Sequence, residues 1–118
     1  MSEPNATERT DWLPLSAPVF HILLALKDEP LHGYGIMTRV EAWTAGRIRL
    51  RTATLYTALA RMREAGVIEE TEAADGGDVR RGRIYRLTTG GMSLLHAERS
   101  RLEAMVRLAD LVAGPVKS

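Results

Sequence analysis

The sequence predicts a mainly α-helical domain interrupted by one short β-hairpin. Three observations carry that expectation. Apolar residues recur at helical spacing in four segments, the turn-forming Asp75-Gly76-Gly77-Asp78 separates two β-favouring runs, and glycine or proline closes each helical segment.

The first helix opens at Leu15-Ser16-Ala17-Pro18, where Ser16 can cap and Pro18 is tolerated in the first turn. Val19, Phe20, Ile22, Leu23, Leu24 and Leu26 make it apolar on most sides, so it is expected in the core, and Asp28-Glu29-Pro30 ends it. A second helix is expected from about Gly33 to Trp43, with His32 helping to cap it. Ile36, Met37, Val40 and Trp43 lie on one face, which makes Trp43 a core residue in this reading, and Thr44-Ala45-Gly46 stops the helix. Ile48 and Leu50 alternate with Arg47, Arg49 and Arg51, the pattern of a short extended segment. The third helix, about Ala53 to Ala65, turns Leu55, Leu59 and Met62 to one side, and Gly66 stands where a left-handed C-terminal residue belongs.

Val67-Ile68 then begins a strand and Val79–Leu87 returns. Thr88 can cap a final helix on which Leu95, Glu98, Leu102, Met105, Ala109 and Val112 follow a heptad-like seam. Glu98 interrupts the seam, so a short antiparallel or crossed contact between two copies is expected rather than a long coiled coil. Packing on its own domain is the plainer alternative. Trp12, before Leu13-Pro14-Leu15, is expected to pack on the core, with contact to a partner subunit or an effector pocket as the alternative.

This order, three helices, a two-stranded β-wing and a long helix, is that of a winged helix-turn-helix with a C-terminal dimerisation helix. The expected organisation is a disordered arm over residues 1–11, the winged domain over 12–87, the dimerisation helix over 88–113 and a tail over 114–118.

At 118 residues the chain is expected to form one domain, and 45% apolar with 26% charged residues is ordinary for a soluble protein. The absence of cysteine excludes disulfide and thiolate chemistry. No apolar run approaches the ~18 residues of a membrane span, and Met1–Thr10 lacks the order of a signal peptide, so a cytoplasmic location is expected.

Net charge is only +1. Its distribution says more: Arg47, Arg49, Arg51, Arg61 and Arg63 occur with no acidic residue between them, and Arg80, Arg81, Arg83 and Arg86 form a second cluster. With Leu55, Leu59 and Met62 inward, Ala53, Thr57 and Ala60 point away at about 100° per residue, flanked by Thr54 and Arg61 on one side and Tyr56 on the other. Small residues at the crown let a helix enter a major groove, where flanking side chains reach base edges and phosphates. Thr54, Thr57 and Arg61 are the expected base contacts, with Arg49, Arg51, Thr52, Arg80, Arg81 and Arg83 around them. The wing arginines suit the DNA backbone or the minor groove. A solvated amphipathic helix, and a hairpin whose Glu69, Glu70 and Glu72 balance its arginines, are the alternatives for these two elements.

No catalytic constellation assembles: Ser16 and Ser93 have no adjacent base, so an enzyme is not expected. His21, His32 and His96 lack ligand spacing, and no metal or other cofactor is expected.

The sequence resembles the PadR family of bacterial regulators over about Leu15 to Leu111. The resemblance rests on Phe20-His21-Ile22-Leu23-Leu24-Ala25-Leu26 and Leu31-His32-Gly33-Tyr34-Gly35-Ile36. It continues through Thr54-Leu55-Tyr56 with Leu59, Glu64-Ala65-Gly66-Val67-Ile68, Arg83, Tyr85-Arg86-Leu87-Thr88 and Gly91. It implies a winged-helix DNA-binding domain, homodimerisation through the C-terminal helix and repression relieved by a small-molecule effector; such a homodimer is expected to read a pseudo-palindromic duplex DNA operator. One helix after the wing makes the chain similar to short-form members. The resemblance places Tyr34 near the phosphate backbone and Thr54 and Tyr56 at the start of the recognition helix. Thr52-Ala53 stands where Pro-Gly often precedes Thr-Leu-Tyr, and the last helix has no tryptophan of the kind on which some members stack planar drugs. A winged helix that binds protein and no DNA is the alternative function.

Overall fold

A computed structural model describes residues 12–71 and 82–114. The elements are α1 (Ala17–Ala25), β1 (Leu31–His32), α2 (Gly33–Trp43), α3 (Thr52–Glu64), β2 (Ile68–Thr71), β3 (Ile84–Leu87) and α4 (Thr89–Ala113). The expected arm over 1–11, the Asp75–Asp78 turn with Arg80 and Arg81, and the tail beyond Gly114 lie outside the described residues.

Local chemistry starts α1 and stops α3 as expected. Ser16 caps α1, its hydroxyl accepting from Val19 N at 3.3 Å, with proline in the first turn. At the end of α3, Gly66 N donates to Arg63 O and Val67 N to Met62 O, each at 3.0 Å, with Gly66 at φ 76°; this is a Schellman turn. At the end of α2 it is Ala45, at φ 52°, that takes the left-handed position, while the Thr44 hydroxyl donates to Val40 O at 2.9 Å and accepts from Ile48 N at 3.0 Å.

The sheet corrects the sequence reading. It has three strands in the order β1-β3-β2, all antiparallel, because Leu31 and His32 pair with Tyr85 and Ile84. His32 supplies no side-chain cap to α2, and its Nε2 is buried without a hydrogen-bond partner among the described residues. The stretch through Ile48 and Leu50 forms no strand, although Leu50 is buried. Trp43 is 56% exposed, not core; the Arg39 guanidinium lies over its ring, 5.8 Å from the centroid.

The core is assembled from every element. Ile22 and Leu23 of α1, Ile36 and Val40 of α2, Leu55, Leu59 and Met62 of α3, Val67, Ile68 and Leu94 are all essentially inaccessible to solvent. Each large aliphatic side chain buried in this way contributes about 1.5–3 kcal/mol. Thr88 ties α3, the sheet and α4 together: its N–H donates to Val67 O at 3.2 Å, its hydroxyl donates to Gly66 O at 2.6 Å and accepts from Gly91 N at 3.1 Å. Gly91 lies so close to this junction that a Cβ there would sit 2.0 Å from Val67 O.

The long helix divides in two. Gly90, Gly91, Leu94, Leu95 and Glu98 are buried, while every residue from Leu102 to Ala113 is exposed. This alters the place of two residues of the expected dimer seam. Leu95, 5% exposed, belongs to the protomer's own core, and Glu98, 3% exposed, faces inward as well. Glu98 Oε2 accepts from Leu15 N at 3.1 Å, and Arg101 donates Nε to Oε1 at 2.5 Å and Nη2 to Oε2 at 3.1 Å. These donors, the Arg101 hydrogen bonds first, hold the Glu98 carboxyl below the usual carboxylate range against the opposing effect of burial.

A carboxylate with a depressed folded-state pKa stabilises the fold fully above its unfolded-state value, about 4.3, and loses that contribution as pH falls through the folded-state value. Urea denaturation of Glu98→Gln should show a cost of about 1–3 kcal/mol at neutral pH. The gap from wild type should narrow as pH falls below about 4; a gap that stays constant well below that pH would contradict the assignment.

Candidate nucleic-acid interface

Burial of Leu55, Leu59 and Met62 leaves Thr52, Ala53, Thr54, Thr57 and Arg61 exposed on the opposite side of α3. Ala60, expected to point away, is half-buried. Ser16, Pro18 and Val19 of α1 and Ala53, Thr54, Thr57, Ala58 and Arg61 of α3 line one shallow, open groove. Threonine hydroxyls and an arginine on a helix with a small-residue crown offer donors and acceptors of the kind that read base edges.

Two of the three tyrosines lie near the entry to this helix. Tyr34, 71% exposed, is in the first turn of α2, and Tyr56 is partly exposed in the first turns of α3. The two turns meet at Gly33, where an added Cβ would lie 2.6 Å from the Tyr56 hydroxyl oxygen. A Cβ at this position would have to move the end of the Tyr56 side chain. Arg51, exposed, occupies the N-cap position of α3 without a side-chain cap.

The arginines of the expected interface divide by their partners. Arg49 Nε lies 3.4 Å from Glu41 Oε1. Arg83 of the wing lies 3.2 Å from Glu70 Oε1, and Arg63 of α3 lies 2.5 Å from the same oxygen. Glu70 therefore joins the C-terminal end of α3 to the wing. Arg86 pairs with Glu69 directly across the β2–β3 register. These described wing arginines are thus balanced by carboxylates on their own sheet, the alternative weighed for the hairpin. Arg80 and Arg81 lie outside the described residues. Burial, and then the Glu70 charge, raise the Tyr85 hydroxyl above its ordinary value, so it stays protonated as a neutral member of the sheet's inner face.

Two features were missed by sequence reasoning. Glu70 is more than a charge balancing the hairpin arginines, because it bridges α3 and the wing through Arg63 and Arg83. Arg61 lies over the ring of Trp12, 5.2 Å from its centroid, a contact across 49 residues that no local pattern signals.

Among the described residues no cluster of histidine and acidic side chains could hold a metal ion. No described helix is long and apolar enough to cross a membrane.

Comparison with known proteins agrees with this geometry. The model of the transcriptional regulator PadR-like family matches residues 22–97. The chain belongs to that family. This PadR-like chain has the winged-helix fold of transcriptional regulators, and its family regulates transcription through DNA binding and is not a family of enzymes. It is similar to a transcriptional regulator from Clostridium thermocellum, with TM-score 0.69 and 20% identity over 92% of this chain and 96% of the other. It is also similar to a PadR family regulator from hypervirulent Clostridium difficile, with TM-score 0.66 and 21% identity over 84% and 100%. A mutant of MepR from S. aureus shares the fold at TM-score 0.66 and 20% identity, over 93% of this chain and 73% of that one. No curated protein matches the sequence.

If Glu70 restrains the wing, Glu70→Gln should release Arg63 and Arg83 toward phosphate. Affinity for all duplexes should rise about two- to fivefold, with a salt slope steeper by up to ~2 for the two freed cations. Anisotropy titrations at several salt concentrations read both quantities, and an unchanged slope would show that Glu70 does not compete with DNA.

Proposed function

We propose that two copies of this chain form a sequence-specific repressor, each inserting α3 into the major groove of a pseudo-palindromic operator in the cytoplasm. The observation that carries the reading is the outward face of α3. Thr54, Thr57 and Arg61 stand at the base edges, with Thr52 and Tyr56 at the helix entry. Tyr34, Arg49, Arg51, Arg80, Arg81 and Arg83 meet the backbone and minor groove. Repression follows from occlusion of a promoter, relieved when a small-molecule effector disfavours the DNA-bound form.

The second half of α4 supports the homodimer. Leu102, Met105, Val106, Ala109 and Val112 form an apolar arc in which Met105 is 55% and Val112 77% exposed. A stripe of this size is covered when two α4 helices pack at a short crossing, beginning beyond Glu98. Half-sites would then lie about 34 Å apart.

The experiment is anisotropy with a duplex from directly upstream of the protein's own gene beside an unrelated duplex. Affinity at least ~10³-fold higher for the upstream duplex establishes a sequence-specific regulator. Equal, salt-sensitive affinity keeps DNA binding and moves the operator elsewhere. The near-neutral net charge and the paired wing arginines favour a protein-interaction module as the second reading. Absence of binding to both duplexes at low salt would select it. Arg61→Ala should cost ~1–3 kcal/mol on the operator alone. Sedimentation should show Met105→Glu dissociating a dimer that wild type maintains; a monomeric wild type at micromolar concentration would remove the dimer from the account.

A further inference from the structure

Trp12 touches both the core and the outward face of α3. Its ring packs partly buried against the core, and the Arg61 guanidinium lies 5.2 Å from the ring centroid. Three residues further on, Leu15 N donates to Glu98 Oε2 at 3.1 Å, which pins this entry segment to α4. Glu98 is buried and itself held by Arg101, so the anchor is fixed from both sides.

A cation over an aromatic face is held through the face of the ring, while the in-plane N–H groups of a guanidinium remain available as donors. An arginine restrained in this way loses less rotamer freedom on docking than one that samples solvent. Arg61 is one turn from Thr57, and both line the groove between α1 and α3. Arg49, Arg63 and Arg83 each spend donors on a carboxylate, and among the described residues no carboxylate pairs with Arg61.

We propose that Trp12 is a positioning residue for DNA recognition: its ring holds the Arg61 guanidinium at the rim of the α3 groove, ready to donate to a base edge. Through Leu15 and Glu98 this setting is tied to α4, so the helix whose outer half is left apolar also anchors the side chain that orders Arg61. The inference rests on the reading of Arg61 as a base-contacting residue.

The test uses the full-length chain and the duplex that wild type enriches from a randomised pool. Trp12→Leu keeps apolar bulk and removes the aromatic face. It should weaken the enriched duplex about three- to tenfold and leave an unrelated duplex unchanged. Trp12→Phe should restore most of the loss, and Trp12→Leu combined with Arg61→Ala should lose no more than Arg61→Ala alone. Equal losses in the leucine and phenylalanine variants, or additive losses in the double variant, would overturn the proposal. Because the chain has only two tryptophans, Trp43→Phe isolates Trp12 emission. In that background and without DNA, Arg61→Ala should shift the emission; an unmoved spectrum would overturn the proposal even if Trp12→Leu fails to fold. A shifted spectrum together with normal duplex binding by Arg61→Ala would instead remove the base-contact reading of Arg61, and the positioning role with it. A pool from which wild type enriches nothing would remove sequence-specific recognition itself.

Discussion

Leu55, Leu59 and Met62 must be buried together, and this requirement sets the rotation of α3 about its axis. Once the three lie inward, the helix has no freedom left to choose what it shows to solvent: Thr54, Thr57 and Arg61 face out by geometry. The partners that enforce the burial come from α1, α2 and the turn after α3, so the three-helix core is also the frame that aims this outward face. A polar substitution at Leu59 would change what α3 shows to solvent without touching any surface residue, because the azimuth would lose its determinant.

The end of α3 is constrained as strictly as its rotation. The Schellman turn at Gly66 delivers Val67 into the sheet, and Thr88 binds that turn to the start of α4 at a spacing only glycine at position 91 allows. Helix, wing and long helix are therefore one mechanical unit. Glu98 extends the unit by joining α4 to the entry segment at Leu15. Beyond Arg101 none of the described residues covers α4, and its apolar side chains are exposed there. Glu70 plays the corresponding part on the other side, where it holds Arg63 of α3 and Arg83 of the wing together.

What was legible in the sequence was what periodicity and capping encode locally. The spacing of Leu55, Leu59 and Met62 gave α3 and its outward face, Ser16 and Thr88 gave two helix starts, and Gly66 gave a helix end. The features that escaped depend on residues distant in the chain. β1 is two residues long, and only its pairing with β3 makes Leu31 and His32 a strand. Trp43 falls at the apolar spacing of α2, yet it lies where that helix passes the edge of the core, beside Arg39. Leu95 and Glu98 fit a heptad seam, but the seam could not reveal that Leu95 joins the protomer's own core or that Leu15 N reaches Glu98. Opposite charges on β2 and β3 were visible; which arginine met which glutamate followed only from the register.

Hydroxyl-radical footprinting on the tightest-bound duplex tests the central claim, that two copies of the outward face of α3 read DNA together. The account predicts two protected patches on one face of the duplex, centred about one helical turn apart, and loss of both patches together in Met105→Glu at limiting concentration. A single patch, or two patches that persist when the α4 contact is broken, would contradict it.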